Sequence, residues 1–166
     1  DHGFPLSRFN TSDRVSRVGN MPNPAHNRQE GPLAKRIPGM GLPEKMRLAQ
    51  TGDKEARSLL ARESNKQILL CLLQNPRISD QEILNFAREK TLPEEILSLL
   101  SKRKEWMKKY PVRLALAQNP KTPLALSLRL IRSFRDYDLR KIARSKDVSV
   151  HVASGARKIL MTRGLL

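Results

Sequence analysis

From Pro43 onward, Leu, Ile and Ala recur three and four residues apart and strand-type alternation is nearly absent, which restricts this part of the chain to helices. Start signals divide the run. Ser79-Asp80-Gln81-Glu82 and Thr91-Leu92-Pro93-Glu94 both have the form of a capping box, in which the hydroxyl accepts an orphan backbone N–H and the glutamate reaches back to the cap. Thr122-Pro123 sets a capping hydroxyl before a proline at the first helical position, where a missing N–H costs nothing. Asp53 and Ser149 are weaker caps of the same kind. The spacing predicts short helices over 43–50, 53–61, 64–74, 79–88, 93–101, 103–118, 122–134, 138–144 and 149–161, with Pro111 breaking or kinking the sixth. Loops of about two to five residues make successive helices antiparallel neighbours.

Residues 1–43 are of another kind, holding six of the eleven prolines and five of the eight glycines with neither helical nor strand period. Such a stretch buries too little to offset its ordering entropy, so 1–42 is read as a flexible N-terminal tail and 43–166 as the helical-repeat domain. Phe4, Phe9 and Ile37 are the tail residues able to dock on the domain or on a partner.

Inside the domain the pattern repeats. Ala61-Arg62-Glu63-Ser64, Ala87-Arg88-Glu89-Lys90, Ala117-Gln118-Asn119-Pro120 and Ala143-Arg144-Ser145-Lys146 each close a helix before a capped restart, at intervals of 26, 30 and 26 residues. An interval of that size holding one helix pair points to stacked pairs, an all-α fold in the form of a short right-handed α-solenoid. Gln-Asn-Pro also occurs at 74–76 and 118–120, in an inexact register if the restarts are Ser79 and Thr122.

The run Leu116-Ala117-Gln118-Asn119-Pro120-Lys121-Thr122-Pro123, with Asp138-Leu139-Arg140-Lys141-Ile142-Ala143-Arg144-Ser145-Lys146, resembles leucine-rich repeat variant and HEAT-like helical repeats, including uncharacterised bacterial proteins. The resemblance covers about residues 58–160 and implies a scaffold, since such repeats bind very different ligands. Some of those proteins carry an iron–sulfur module held by clustered cysteines. Here Cys71 is the single cysteine, so that part of the resemblance is missing.

Charge adds a direction. The net charge is +16, with 7 cations against 4 acids over residues 1–45, 13 against 9 over 46–110, and 12 against 3 over 111–166. The excess gathers in the C-terminal third. At about 100° per residue, Leu124, Leu126, Leu128, Leu130, Ile131 and Phe134 share one apolar arc opposite Arg129 and Arg132. The next helix turns Leu139, Ile142 and Ala143 inward and Arg140, Lys141 and Arg144 outward; the last turns Val152, Ala156, Ile159 and Leu160 inward and His151 and Lys158 outward. Arg129, Arg132, Arg140, Lys141, Arg144 and Lys158 therefore form the candidate binding surface. A second candidate is the segment Lys102, Arg103, Lys104, Trp106, Lys108, Lys109 and Tyr110, where aromatics interleave with cations. Trp106 with Tyr110 and Leu114 reads as core on one helix face, and the lysines as a basic rim.

Catalytic chemistry finds no signature. His2, His26 and His151 are far apart, Cys71 lies in an apolar helix, and no glycine-rich phosphate loop or nucleophile elbow occurs. Glu94-Glu95 and Asp136 with Asp138 stand at helix starts, where the dipole favours carboxylates. No cofactor, metal or small-molecule substrate is inferred. The longest apolar run, Ile68 to Leu73, is too short to insert in a membrane, and with no signal-peptide pattern the cytoplasm is the expected compartment. The leading expectation is a non-catalytic scaffold docking an acidic protein through its basic C-terminal surface. A largely sequence-independent DNA- or RNA-binding module comes second, and an enzyme on a HEAT-like frame is the remote third.

Overall fold

The computed structural model describes residues 31–166. Phe4 and Phe9 lie outside the described residues. The chain divides after Pro38. In the first unit, within the stretch read as tail, α1 (Leu33–Arg36) is one turn of helix and Ile37 is buried.

The second unit is all-helical among the described residues. Its elements are α2 (Leu42–Thr51), α3 (Lys54–Leu60), α4 (Lys66–Leu73), α5 (Asp80–Arg88), α6 (Glu94–Lys102), α7 (Lys104–Met107), α8 (Tyr110–Gln118), α9 (Leu124–Ile131), α10 (Asp136–Arg144) and α11 (Val150–Thr162). None is long and apolar enough to cross a membrane. The expected helices are present with ends shifted by a few residues, the sixth as two. Pro111 is the cause: it has no N–H for the carbonyl of Met107 four residues back, and its ring excludes that carbonyl. The helix stops at Met107 and restarts at Tyr110.

Caps fall partly where expected. The Ser79 hydroxyl accepts from Glu82 N at 3.2 Å while Glu82 Oε2 accepts from Ser79 N at 2.7 Å, a complete capping box. Asp53 Oδ1 accepts from Ala56 N. Ser149 holds the cap position of α11 but makes no side-chain capping bond. Thr91 and Thr122 do not cap. The caps of α6 and α9 are Pro93 and Pro123, because α6 starts two residues and α9 one residue later than the hydroxyl reading requires. Thr91 bonds instead to Glu89, and Thr122 Oγ1 is buried without a partner among the described residues.

Moving those caps puts four corners in one register. They run Asn75 to Ser79, Glu89 to Pro93, Asn119 to Pro123 and Ser145 to Ser149, each ending on the cap of the next helix. In each, the first side chain accepts the backbone N–H two residues on: Arg77 N to Asn75 Oδ1 at 2.9 Å, Thr91 N to Glu89 Oε1 at 3.1 Å, Lys121 N to Asn119 Oδ1 at 2.9 Å and Asp147 N to Ser145 Oγ at 3.2 Å. The fourth residue, Ile78, Leu92, Thr122 or Val148, turns its side chain toward the helices, and the last three are buried. The two Gln-Asn-Pro triplets are thus in exact register. The segment after Ala61 is not, since its helix restarts sooner, on an Asn65 cap.

The two asparagines also join helices far apart in sequence. Asn75 Nδ2, at the end of α4, donates to Ala49 O at 2.9 Å and Gly52 O at 3.0 Å, at the end of α2. Asn119 Nδ2, at the end of α8, donates to Ala87 O at 2.9 Å and Glu89 O at 3.0 Å, at the end of α5. Both side chains are buried. Each satisfies carbonyls that a helix C-terminus leaves without a partner, and each sets two packed helices end by end, α2 with α4 and α5 with α8. Arg57 extends the first junction. Its Nη1 donates to Gly52 O at 3.1 Å, and its Nε and Nη2 donate to Glu82 at 2.8 and 3.1 Å, tying α3 to the start of α5. Gly52 is required by close approach, since a Cβ there would stand 2.7 Å from that of Ala56.

The core runs along the helices through Leu69, Ile83, Leu100, Leu116, Ile131 and Leu160, each at most 1% exposed. α8 packs on α9, α9 on α11 and α10 on α11. α11 approaches α9 closely at Gly155, where a Cβ would meet Leu128 at 2.9 Å. Within α9 the expected apolar arc needs one change. Leu124, in the first turn, is 42% exposed, and Ser127 occupies the buried face instead.

Two tests follow from the junctions. Asn75→Ala should cost about 2 kcal/mol, since it leaves Ala49 O without a donor while Gly52 O keeps Arg57, and Asn119→Ala about 3 kcal/mol, since it leaves both Ala87 O and Glu89 O without one; urea denaturation showing less than about 1 kcal/mol would contradict the clamp role. The second concerns acid. Burial alone would raise the Glu82 carboxyl, but the hydrogen bond from Arg57 and those from Ser79 outweigh it and hold it below the ordinary glutamate value. A depressed carboxylate stabilises the fold fully above the unfolded pKa of about 4.3 and loses that contribution as pH falls through the folded value. Glu82→Gln should therefore flatten the acid limb of stability against pH, leaving the parts due to Glu89, whose bonds from Thr91 lower it in the same direction, and to Glu95, lowered by its own backbone N–H and by Lys66. An unchanged acid limb would refute the assignment.

Candidate functional site

The electrostatics of the C-terminal third depend on where its three acids go. Asp136 is held by Arg163, whose Nη1 stands 2.6 Å from Oδ1. Asp138 accepts the Tyr110 hydroxyl at 2.6 Å. Asp147 is exposed in the corner before α11. The acids of α10 are therefore engaged by α11 and α8.

Apart from Arg163, the cations of this third have no carboxylate at ion-pair distance among the described residues. Arg129, Arg132, Arg140, Lys141, Arg144 and Lys158 are all exposed, and among the described residues none has a carboxylate within ion-pair distance. The structure brings three of them onto one helix face. Arg140, Lys141 and Arg144 lie at spacings of three, four and seven from Tyr137 on α10, and Leu139, Ile142 and Ala143 are buried on the other side. Arg129 and Arg132 stand on α9 and at its end, and Lys158 on α11.

Tyr137 is the residue that sequence reasoning missed. It is 65% exposed, and Lys141 Nζ lies 4.5 Å from its ring centroid. The Tyr137 side chain raises the Lys141 ammonium above its ordinary pKa. The spacing with Arg140, Lys141 and Arg144 was legible as a helical stripe; the missing signal was that no buried face needs Tyr137.

The second candidate segment separates into parts with different employment. Trp106 is 9% exposed, with the Arg103 guanidinium 5.1 Å from its ring. Lys109 Nζ pairs with Asp80 at 2.6 Å, while Lys102, Lys104 and Lys108 are exposed. Tyr110, on the far side of the helix break, does not share a continuous helical face with Trp106. It packs edge-on against Phe134 at 5.6 Å and lies between the guanidinium groups of Arg113 and Arg135, at 5.5 and 5.0 Å. Its hydroxyl also accepts from Arg135 N at 3.1 Å. Burial, and then the bond to Asp138, push the phenol above its ordinary pKa, so it remains a proton donor. Both aromatics are structural anchors between helices.

Reactive groups are sparse. Cys71 is buried and burial raises its thiol pKa, which leaves no thiolate at neutral pH. Among the described residues no cluster of three or more His, Cys, Asp and Glu could hold a metal ion. A groove of about 370 Å³ between α3 and α5 includes Arg57 and Glu82, whose polar groups already bind each other and their caps.

Trp106→Ala should cost about 3 kcal/mol, the usual loss for a buried large aromatic, while leaving affinity for polyanions unchanged. Thermal denaturation beside a binding titration checks it; a stable variant with lost binding would place Trp106 in the interface instead.

No protein-family model, no curated protein and no solved structure matches this chain.

Proposed function

We propose that the chain is a non-catalytic helical-repeat scaffold, a short α-solenoid of the leucine-rich repeat variant or HEAT-like kind, that docks a polyanionic partner on its C-terminal surface. The carrying observation is the set of six exposed cations that, among the described residues, have no carboxylate within ion-pair distance, beside Asp136 and Asp138, which are held by Arg163 and Tyr110. A face kept soluble by charge alone would pair its signs, as Lys45 with Glu63 and Lys66 with Glu95 do nearer the N-terminus of the unit. Support for the stacked reading comes from the four corners in one register and the two asparagines that place like helix ends side by side.

An acidic protein suits such a surface through Coulomb attraction and the extended faces that stacked helices offer. Nucleic acid suits it through backbone neutralisation, and the exposed Tyr137 beside three cations is the specific observation in its favour. Reversing Arg129, Arg132, Arg140 and Arg144 to Glu tests the surface itself. At ~50 mM salt the wild-type chain should be retained on immobilised polyglutamate or on nucleic acid, and the reversed chain, folded by circular dichroism, should be lost from both. On duplex DNA, five neutralised phosphates correspond to a log–log salt slope of about −4 to −5. Equal retention of the reversed and wild-type chains would remove the basic surface from the function.

A further inference from the structure

We propose that the outward face of α10 is a platform for single-stranded nucleic acid, with Tyr137 stacking on a base while Arg140, Lys141 and Arg144 neutralise the neighbouring phosphates. The proposal rests on the polyanion-docking reading and names its partner.

The fold gives Tyr137 no work to do. Tyr110 shows what a structural tyrosine looks like in this chain: it is packed against Phe134, donates to Asp138 and accepts from Arg135. Tyr137 has 65% of its surface in solvent. Single exposed apolar side chains are common, and Val150, Met161 and Leu166 are as exposed; Tyr137 differs in carrying a flat ring set among three cations on one helix face.

Its neighbours define the use. The i, i+3, i+4 and i+7 positions form a single stripe, about 10 Å long at 1.5 Å per residue. Lys141 Nζ sits 4.5 Å from the Tyr137 centroid and occupies one side of the ring, leaving the rest to solvent. A cation beside an aromatic that a base can approach is the arrangement that single-strand binding surfaces use, stacking on the ring and neutralising the backbone alongside. Of the acids of α10, Asp136 is paired with Arg163, and Asp138, which accepts from Tyr110, keeps its charge; among the described residues no carboxylate lies within ion-pair distance of Arg140, Lys141 or Arg144, so these three cations remain open to incoming phosphates.

The same geometry discriminates among polyanions. A duplex keeps its base faces stacked on one another, so it can use the cations but not the ring. An acidic peptide likewise offers carboxylates and nothing flat to lay on Tyr137. Only a single strand uses all four side chains. Binding should also tolerate any sequence, because every base has a π-face and none of the four residues is placed to read base edges.

The test uses the full chain in fluorescence anisotropy with three probes: labelled oligo-dT of about 16 nucleotides, a duplex of equal length, and a labelled polyglutamate peptide. Tyr137 is exposed, so Tyr137→Ala should fold, and a thermal melt verifies it. The variant should lose about five- to hundredfold in affinity for oligo-dT and less than about twofold for the duplex and the peptide, while Tyr137→Phe, which retains the ring, should bind oligo-dT as wild type does. Arg140→Glu combined with Lys141→Glu and Arg144→Glu should abolish binding of all three probes. An unchanged oligo-dT affinity in Tyr137→Ala overturns the stacking platform. Wild-type binding of polyglutamate without binding of oligo-dT overturns the nucleic-acid partner and leaves the polyanion reading standing. Wild-type binding of none of the probes overturns both.

Discussion

Two buried carboxamides organise the helix ends of this protein. A helix C-terminus presents carbonyls that its own backbone cannot satisfy, and a short helix has proportionally more of them. Ten short helices in one unit would bury many such groups at their junctions. Asn75 and Asn119 resolve this at two places with the same atoms, the Nδ2 donating to two carbonyls of an earlier helix and the Oδ1 accepting an N–H of its own corner. Asparagine suits the position because its short amide carries donor and acceptor at one end. An aspartate would offer no donor to the carbonyls, and alanine would offer nothing.

Around these clamps the remaining polar groups of the interior are shared. Gly52 O accepts from both Asn75 and Arg57, and Arg57 passes on to Glu82, which is itself half of a capping box. One chain of bonds therefore joins α2, α3, α4 and α5. Burial of Arg57 at 6% exposure is tolerable only because its guanidinium is met by a carboxylate and a carbonyl. At the other end of the unit, Arg163 does comparable work on exposed atoms, holding Arg132 O, Phe134 O and Asp136 together at the start of α10. The outer side of α10 carries Arg140, Lys141 and Arg144 with no carboxylate at ion-pair distance among the described residues.

The helices, their approximate ends and the inward side of α10 were legible because local rules govern them. Period and caps need only a few neighbouring residues, and Pro111 acts on the carbonyl four positions back. Thr91 and Thr122 misled for a reason within the same rules. A hydroxyl three residues before the first helical position, as at Thr91, or two before it, as at Thr122, looks like a cap in sequence, but Pro93 and Pro123 hold the cap position with an extended ψ. The offset hid the common register of the Gln-Asn-Pro corners. Trp106 and Tyr110 were joined into one face by assuming a continuous helix, and the break at Lys108 and Lys109 separates them.

The sequence alone determined that this chain is helical, where its cations concentrate, and which side of each amphipathic helix is apolar, because these follow from spacing along one segment. Tertiary structure decided which acids remain available to those cations, since Asp136 and Asp138 are claimed by residues 27 and 28 positions away. It likewise decided which aromatics are spent on the core. Tyr110 and Tyr137 look alike as letters beside basic residues; one is enclosed by Phe134 and two arginines, and the other stands in solvent. The physical reason is that pairing and enclosure require partners brought in from distant helices, and no pattern within a single helix carries that information.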